Sequence, residues 1–71
     1  MKEFQNVNVQ GYYGLWSAID KYKKFNDITY YLLENNKYGD ETCYLVVRED
    51  GFLIGETYDD IETSLEDYSI I

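Results

Sequence analysis

Residues 43–54 have the sequence CYLVVREDGFLI, in which two apolar runs flank the turn sequence Glu49-Asp50-Gly51. An Asp-Gly pair between apolar runs is the strongest short-range signal for a β-hairpin, because glycine adopts the positive φ that tight turns require. This stretch therefore predicts two antiparallel strands joined by a short turn, around which the other elements are arranged.

A further strand is predicted directly before this hairpin. Residues 28–33, with the sequence ITYYLL, combine β-branched, aromatic and aliphatic side chains and form the clearest single strand of the chain. The polar and glycine-containing cluster at residues 35–40 predicts the turn that separates this strand from the hairpin.

The N-terminal part of the chain favours two more strands. Residues 4–9 and 15–20 have strand-like sequences, and Gly11 and Gly14 between them indicate a bulge or a sharp bend. Residues 21–27 are mostly polar, and we expect them to form a turn.

After residue 56 the apolar residues change to a helical period. Four of them recur at helical spacing: Tyr58, Ile61, Leu65 and Tyr68. This pattern predicts an amphipathic helix packed on the sheet, and Thr57 followed by Asp60 resembles a capping box that would begin it. The acids of this segment are centred on the opposite face. Glu66 and Asp67 lie near the helix C-terminus, where the helix dipole disfavours negative charge.

These elements predict an α+β fold, a small curved antiparallel β-meander of three to five strands with one C-terminal α-helix packed on it. With 71 residues, the chain is expected to form a single domain over residues 1–71. The helix is expected to cover one inner face of the sheet, formed by Trp16, Ile19, Ile28, Leu32, Leu45, Val47 and Ile54. Leu33 and Val46 fall on the alternate face. Because neighbouring strand residues point to opposite faces, Tyr30 and Tyr31 are not expected to be buried together.

Acidic residues are concentrated in the C-terminal part of the chain. The formal net charge is −8, and residues 40–71 carry ten of the 14 acids against one base, Arg48. Since aromatic residues make up 18% of the chain, we expect this charge on a folded body and not on a disordered segment. The charge argues against direct binding to nucleic acid or to an anionic membrane, because both would repel it.

Two further features predict a soluble cytoplasmic protein. The lone Cys43 has no partner for an internal disulfide, which favours a reducing compartment. The apolar runs are also far shorter than the core of a signal peptide or a membrane span.

Catalytic chemistry has little support in the sequence. The chain has no histidine, the residue most often used as a general base and as a metal ligand at neutral pH. Cys43 lies in a strand-like apolar stretch, where a thiol is usually inert. The acids lack the spacing and the turn glycine of a calcium loop, and phosphate-binding glycine loops and zinc-type cysteine pairs are absent. We therefore predict a non-enzymatic protein without a cofactor or metal.

Two surface features favour protein binding. Some of the nine tyrosines must be exposed, and exposed tyrosine beside acids is typical of protein-binding surfaces, although solvated tyrosines give the same pattern. Rows of carboxylates about 5–7 Å apart on a helix or strand can imitate a phosphate backbone, the charge that nucleic-acid-binding proteins attract. A face that only keeps the protein in solution is the alternative for the acids.

Several segments between residues 16 and 65 carry a family resemblance: WSAID at 16–20, YYLLE at 30–34, YGDE at 38–41, EDG at 49–51 and YDDI at 58–61. In these segments the chain resembles a small domain of the large polyvalent protein-associated group. Such domains occur in long polypeptides and as stand-alone proteins of conjugative elements and phages of Gram-positive bacteria. The resemblance carries no assigned activity. It implies a mobile-DNA setting, in which small acidic proteins often disarm host defences such as restriction or CRISPR nucleases.

We therefore expect a small acidic binding protein of mobile-element origin that acts as a nucleic-acid mimic. It would occupy a basic nucleic-acid-binding surface of a partner protein, such as a defence nuclease, as an anti-CRISPR or anti-restriction inhibitor. The alternative is a scaffolding module whose aromatic sheet mediates self-association or protein contact. Either form would be a monomer or a homodimer. The residues expected to bind the partner are Glu49, Asp50, Asp59, Asp60, Glu62, Glu66, Asp67 and Tyr44.

Overall fold

The computed structural model describes residues 4–18, 21–39 and 41–71. In these residues a six-stranded antiparallel sheet is followed by one short helix. The strands are β1 (Phe4–Asn8), β2 (Leu15–Ala18), β3 (Tyr22–Phe25), β4 (Ile28–Asn35), β5 (Tyr44–Arg48) and β6 (Leu53–Thr57), and the helix is α1 (Ile61–Asp67). The antiparallel sheet and the C-terminal helix are confirmed, but the strands outnumber the predicted three to five.

The longest strand, β4, organises the sheet. Along one side it pairs with β5, and along the other side it pairs with two shorter strands in succession. Strand β3 pairs with its first half, through Tyr22 and Tyr31, and β2 pairs with its end, through Ser17 and Glu34. The sheet order is β1-β2-β4-β5-β6, with β3 beside β4.

The β5–β6 hairpin forms where the Asp50-Gly51 pair predicts it. Gly51 has φ +90°, a left-handed conformation that glycine adopts without steric cost. Its N–H donates to the Arg48 carbonyl oxygen (2.8 Å), and the Phe52 N–H donates to the Asp50 carboxylate (3.1 Å). The turn is therefore closed by both backbone and side-chain hydrogen bonds, and the prediction is confirmed.

The prediction of a turn over residues 21–27 is wrong, because most of this segment forms β3. The turn is limited to Asn26 and Asp27, whose φ values of +52° and +64° match a two-residue type I′ hairpin turn. Asparagine and aspartate adopt this conformation more readily than most residues. The polar Lys23 and Lys24 fit a strand that pairs only with β4, since edge strands often carry lysine.

The capping pattern predicts that Thr57 begins the helix, but the N-cap is Asp60. Thr57 is the last residue of β6, and it pairs with Tyr44 in the sheet. The Asp60 carboxylate accepts a hydrogen bond from the Thr63 N–H (2.7 Å). Sheet pairing at Thr57 therefore outweighs the local capping signal, and residues 58–60 connect the strand to the helix.

Three of the four positions predicted to face the sheet do so. Leu65 is fully buried and Ile61 packs against the same apolar cluster. Tyr58 is 82% exposed, because it precedes the helix. Tyr68 is the C-cap; its ring lies against Gly55 of β6, and its hydroxyl donates a hydrogen bond to the Glu56 carbonyl oxygen (2.5 Å). No helix among the described residues is long and apolar enough to cross a lipid bilayer.

Both faces of the sheet carry buried side chains. We name the first cluster the hairpin-side cluster after the β1–β2 hairpin, since residues of β1 and the β1–β2 loop pack against it. It consists of Trp16, Ala18, Tyr31, Leu33, Leu45 and Val47. The helix-side cluster consists of Tyr30, Leu32, Val46 and Leu65. The β1–β2 hairpin thus covers one face of the sheet, with the Phe4 and Tyr31 ring centroids 4.7 Å apart, while α1 covers the other face.

This two-sided core overturns the prediction that Tyr30 and Tyr31 cannot both be buried. Their exposed fractions are 7% and 1%, because each face of β4 has its own cover. Leu33 and Val46, which belong to opposite clusters, are both buried as well.

The single inner face predicted from the sequence is also wrong. Its described members divide between the two clusters: Trp16, Leu45 and Val47 lie on the hairpin side, and Ile28, Leu32 and Ile54 lie on the helix side. Ile19, also predicted for that face, and the last two residues of the strand predicted over 15–20 lie outside the described residues.

Candidate protein-docking surface

A group of exposed carboxylates extends from the loop between β6 and α1 to the C-terminal end of α1. We call this group the acidic surface; it consists of Asp59, Asp60, Glu62, Glu66 and Asp67. The last turn of α1 carries no basic residue. Because side chains one helical turn apart lie about 5–6 Å from each other, Glu62 and Glu66 are neighbours. The acidic surface therefore extends from the loop along the outer side of the helix.

Two buried residues hold α1, and with it the acidic surface, against the sheet. Leu65 is fully buried in the helix-side cluster. The Ser64 hydroxyl, also fully buried, lies 2.7 Å from the Asp60 carbonyl oxygen and 2.8 Å from the Thr57 hydroxyl. Since buried hydrogen bonds tolerate little displacement, this contact keeps the helix start in one position against the end of β6.

The carboxylates of the acidic surface differ in their partners. The Thr63 backbone N–H stabilises the charged form of Asp60 and lowers the pKa of its carboxyl group. Glu62 lies 3.7 Å from the ammonium of Lys23, a solvent-exposed pair that contributes little to stability. The other three acids form no ion pair with any described residue: Asp59, Glu66 and Asp67.

A groove of about 440 Å³ opens beside the acidic surface. We call it the tyrosine groove; it is lined by Lys21, Tyr22, Leu32, Tyr44, Tyr58, Asp59, Asp60 and Ile61. The Lys21 ammonium lies 4.8 Å from the centroid of the Tyr44 ring, within the range of a cation–π interaction. The Tyr22 ring packs beside Tyr31, with centroids 6.1 Å apart. Among the aromatic rings of the groove, Tyr58 is the most exposed and Tyr22 is also exposed, whereas Tyr44 is half-buried.

The structure brings six of the eight predicted docking residues together. Tyr44, Asp59 and Asp60 line the tyrosine groove. Glu62, Glu66 and Asp67 continue from it along the exposed side of α1. Aromatic area and negative charge thus lie side by side, and the negative charge is electrostatically complementary to a basic surface.

Residues 1–69 match the family model of the large polyvalent protein-associated domain 18. The chain belongs to this family. The match covers nearly the whole chain and confirms the resemblance to the large polyvalent protein-associated group. No curated protein and no solved structure matches the chain. The family description specifies no activity, so the function of this domain 18 chain has to be inferred from its own residues.

In this domain 18 chain, Glu49 and Asp50 lie apart from the other six predicted docking residues. They are in the β5–β6 turn, at the opposite end of β5 from Tyr44. The guanidinium of Arg48 donates two hydrogen bonds to Asp50 (2.9 and 2.6 Å), and these lower the pKa of Asp50 to about 2. Glu49 accepts a hydrogen bond from the Thr29 N–H (2.6 Å). Both carboxylates therefore have partners inside the fold.

Five of the eight residues that line the tyrosine groove are missing from the predicted docking set, among them Tyr58 and Lys21. Tyr58 is assigned there to the core and Lys21 to a turn. The Asn26-Asp27 pair could have placed Lys21 directly before a strand and not in a turn, because this pair suits a type I′ turn between two strands. For Tyr58 the signal is that Asp60 is itself a good N-cap residue, which leaves Tyr58 outside the helix.

Cys43 lies on the outer side of the same sheet end. Its thiol is 3.4 Å from the Glu56 carboxylate, which also accepts a hydrogen bond from the Tyr12 hydroxyl (2.8 Å). Burial and, after it, the hydrogen bond to Glu56 raise the pKa of the Cys43 thiol. The thiol is therefore protonated at neutral pH and is a poor nucleophile. Within the described ranges, no three acidic or thiol side chains converge in a way that could hold a metal ion.

An apolar cleft of about 480 Å³ lies on the hairpin side of the sheet, away from α1. It is bordered by β1 and the β5–β6 hairpin, and its apolar lining residues are Phe4, Val7, Val9, Leu33, Val47, Phe52 and Leu53. The Phe52 side chain is exposed at the edge of the turn. This cleft is the second surface on which a partner could pack.

Proposed function

We propose that the protein is a non-enzymatic binding module that acts as a nucleic-acid mimic. It docks its acidic surface on a basic nucleic-acid-binding surface of a partner protein and occupies that surface in place of the nucleic acid. The observation that carries this proposal is the group of five exposed carboxylates within residues 59–67, four of which form no ion pair with any described residue.

The electrostatics favour a basic protein as the partner. A net charge of −8 on 71 residues repels nucleic acid and anionic lipid alike. Carboxylates about 5–6 Å apart along a helix present the kind of dense negative charge that attracts a nucleic-acid-binding surface. Because α1 is anchored through Leu65 and Ser64, these charges are already ordered before the partner binds, which lowers the entropic cost of association.

Family membership supports the setting of this function. Domains of the large polyvalent protein-associated group accompany mobile DNA, so we place the chain in a conjugative element or phage of a Gram-positive bacterium. In that setting the partner is a cytoplasmic defence nuclease, and the protein is an anti-CRISPR or anti-restriction inhibitor that works as a monomer or homodimer. The neutral thiol of Cys43 is consistent with a role that involves no catalysis.

Affinity capture from bacterial cells that carry restriction or CRISPR nucleases tests this function. We expect the protein to retain a basic nucleic-acid-binding protein at about 0.1 M salt and to release it at about 1 M, since the Debye length falls from about 10 Å to about 3 Å. The captured partner should bind its own nucleic acid less tightly while this protein is present.

Two double variants of equal net charge make the test specific. E66Q/D67N removes two unpaired charges from the acidic surface, whereas D27N/E41Q removes two exposed charges from turns elsewhere. We expect E66Q/D67N to lower capture about tenfold or more, an effect of at least about 1.4 kcal/mol, and D27N/E41Q to bind nearly as the wild type does. Equal capture by both variants would refute the proposed docking surface.

The apolar cleft supports a second candidate function, a scaffolding module that associates with itself. An exposed phenylalanine beside an apolar cleft can pack into a second copy of the chain. Sedimentation across a range of concentrations separates the two candidates. A dimer that is lost in Phe52→Ser, together with partner capture unaffected by E66Q/D67N, would favour the scaffolding function.

A further inference from the structure

We propose that the tyrosine groove receives an arginine side chain of the basic partner. This inference rests on the proposed function and names the chemistry of its central contact. It is carried by a juxtaposition in the groove: the exposed residues Tyr58 and Asp59 both line it, and a cation already lies on the Tyr44 ring of the same groove.

One cation of the chain already lies against an aromatic ring of the groove. The Lys21 ammonium lies 4.8 Å from the Tyr44 ring centroid, although its side chain could extend into solvent. The charge of Lys21 is balanced by Glu34, whose carboxylate lies 3.1 Å away. The two acids that line the groove, Asp59 and Asp60, form no ion pair with any described residue and attract a cation of the partner.

Arginine fits the remaining features better than lysine does. A guanidinium is planar, so it can stack on an aromatic face while its N–H groups donate to a carboxylate in the same plane. Tyr58 provides the exposed face, and Asp59, which has no ion pair with a described residue, provides the acceptor. A lysine ammonium is a compact, strongly hydrated charge that can satisfy one of these contacts but gains little from stacking.

The position of the groove agrees with this occupant. Its lining residues Asp59 and Asp60 belong to the acidic surface, so a basic partner that covers α1 also covers the groove. Its volume of about 440 Å³ lies within the roughly 300–1,000 Å³ of side-chain and ligand pockets. Leu32 and Ile61 at its base can contact the aliphatic part of an arginine side chain.

The probes for this proposal are triarginine amide and trilysine amide, which carry equal charge. Each is titrated into the ¹⁵N-labelled full chain at low salt, and amide shifts give both the site and the affinity. We expect triarginine to bind several-fold more tightly than trilysine and to shift the amides of residues 21, 44 and 58–61 most.

Variants of two equally exposed tyrosines locate the contact. Tyr58→Ala should weaken triarginine binding about two- to fivefold, the loss expected for one cation–π contact, and Tyr58→Phe should bind as the wild type does. Tyr13 is the matched control: it is 78% exposed against 82% for Tyr58, but it does not line the groove. Tyr13→Ala should therefore bind triarginine normally. Because both side chains are on the surface, neither change should unfold the protein.

Two single-charge variants test the acceptor. Asp59→Asn should lower the preference for triarginine over trilysine, whereas Asp27→Asn, which removes one charge elsewhere, should leave that preference intact. Equal affinity for the two peptides in the wild type, or equal effects of Tyr58→Ala and Tyr13→Ala, would overturn the groove proposal.

The failure of this proposal can be told apart from the failure of the proposed function. If E66Q/D67N weakens both peptides and lowers partner capture while Tyr58→Ala changes neither, the acidic surface docks the partner and the groove is not involved. If E66Q/D67N leaves partner capture unchanged, the proposed function itself is wrong, whatever the peptides do.

Discussion

The β5–β6 turn and the segment at residues 59–67 are both acidic, yet their carboxylates relate to the fold in opposite ways. In the turn, Asp50 binds the guanidinium of Arg48 and Glu49 accepts the Thr29 N–H. In the second segment, Asp59, Glu66 and Asp67 form no ion pair with any described residue. The acids of the turn are used within the fold, whereas these three, unlike Asp60 at the N-cap and Glu62 beside Lys23, have neither a helix-capping role nor an ion pair with a described residue.

This difference shows that the number of acids in a segment is a poor guide to its function. A carboxylate with an internal partner loses that interaction when it turns to an external one, so its net contribution to binding is small. An unpaired exposed carboxylate loses no such interaction. We therefore expect binding to depend most on the three exposed acids without an ion pair or a helix-capping role among the described residues: Asp59, Glu66 and Asp67.

The largest expected effect comes from detaching the helix that orders the second segment. Leu65→Ala removes a fully buried side chain from the helix-side cluster and should lower the free energy of unfolding by about 2–5 kcal/mol. Partner capture should fall as well, although every acid is retained. Urea unfolding and capture measure both effects. Ile71→Ala, at an exposed position, is the control. Normal capture by a Leu65→Ala protein with a melted helix would show that ordered charge is not required.

A smaller effect separates the two adjacent acids at the start of this segment. Asp60→Ala removes the N-cap of α1 and should lower Tm by several degrees, while Asp60→Asn, which can still cap, should restore it. Asp59→Ala should leave Tm unchanged and weaken partner binding. Thermal unfolding followed by circular dichroism measures the stabilities. Equal Tm losses at the two positions would contradict the assignment of the cap to Asp60.

Neutralising the end of the helix should act on stability and binding in opposite directions. Glu66 and Asp67 lie at the negative end of the helix dipole, with no basic residue in the last turn. E66Q/D67N should therefore raise the free energy of unfolding by about 0.3–1 kcal/mol per charge, while it weakens partner binding. D27N/E41Q controls for the change in net charge. A loss of stability in E66Q/D67N would mean that these acids, too, have a structural role.

The smallest expected effect is a dependence of protein stability on pH that arises from Asp50 in the β5–β6 turn. The folded-state pKa of Asp50 is about 2, below the value of about 3.9 for an unfolded aspartate, because Arg48 stabilises its charged form. The stabilisation is therefore complete above about pH 4 and is lost as the pH falls towards 2. Asp50→Asn should flatten this part of the stability profile, measured by urea unfolding between pH 2 and pH 5. Asp59→Asn should leave the stability profile unchanged. If Asp59→Asn flattened the profile as Asp50→Asn does, Asp59 would also have a partner within the fold.

Local patterns in the sequence predict the elements whose signals are local. The β5–β6 hairpin follows from Asp50-Gly51, and the burial of Leu65 follows from the helical period. The pairing of β3 with β4 depends on a two-residue turn without glycine, in which Asn26 and Asp27 have positive φ. The burial of both Tyr30 and Tyr31 depends on covers that come from opposite ends of the chain, so periodicity within one strand cannot reveal it.

The docking residues divide in the same way. Sequence patterns identify six of the residues that the structure gathers at α1 and the tyrosine groove, because acid density and helical spacing are local properties. They also include Glu49 and Asp50, whose partners Thr29 and Arg48 are reached only through strand pairing and turn geometry. They omit Tyr58, whose exposure follows from sheet pairing at Thr57.

The sequence by itself determined the excess of negative charge, its concentration after residue 40, the main hairpin and the amphipathic C-terminal helix. All of these depend on which residues are present and on their spacing along the chain. Only the tertiary structure decided which carboxylates are compensated and which aromatic rings remain outside. Compensation and burial depend on distances of a few ångströms between residues far apart in sequence, and only the packing of the sheet and its two covers sets those distances.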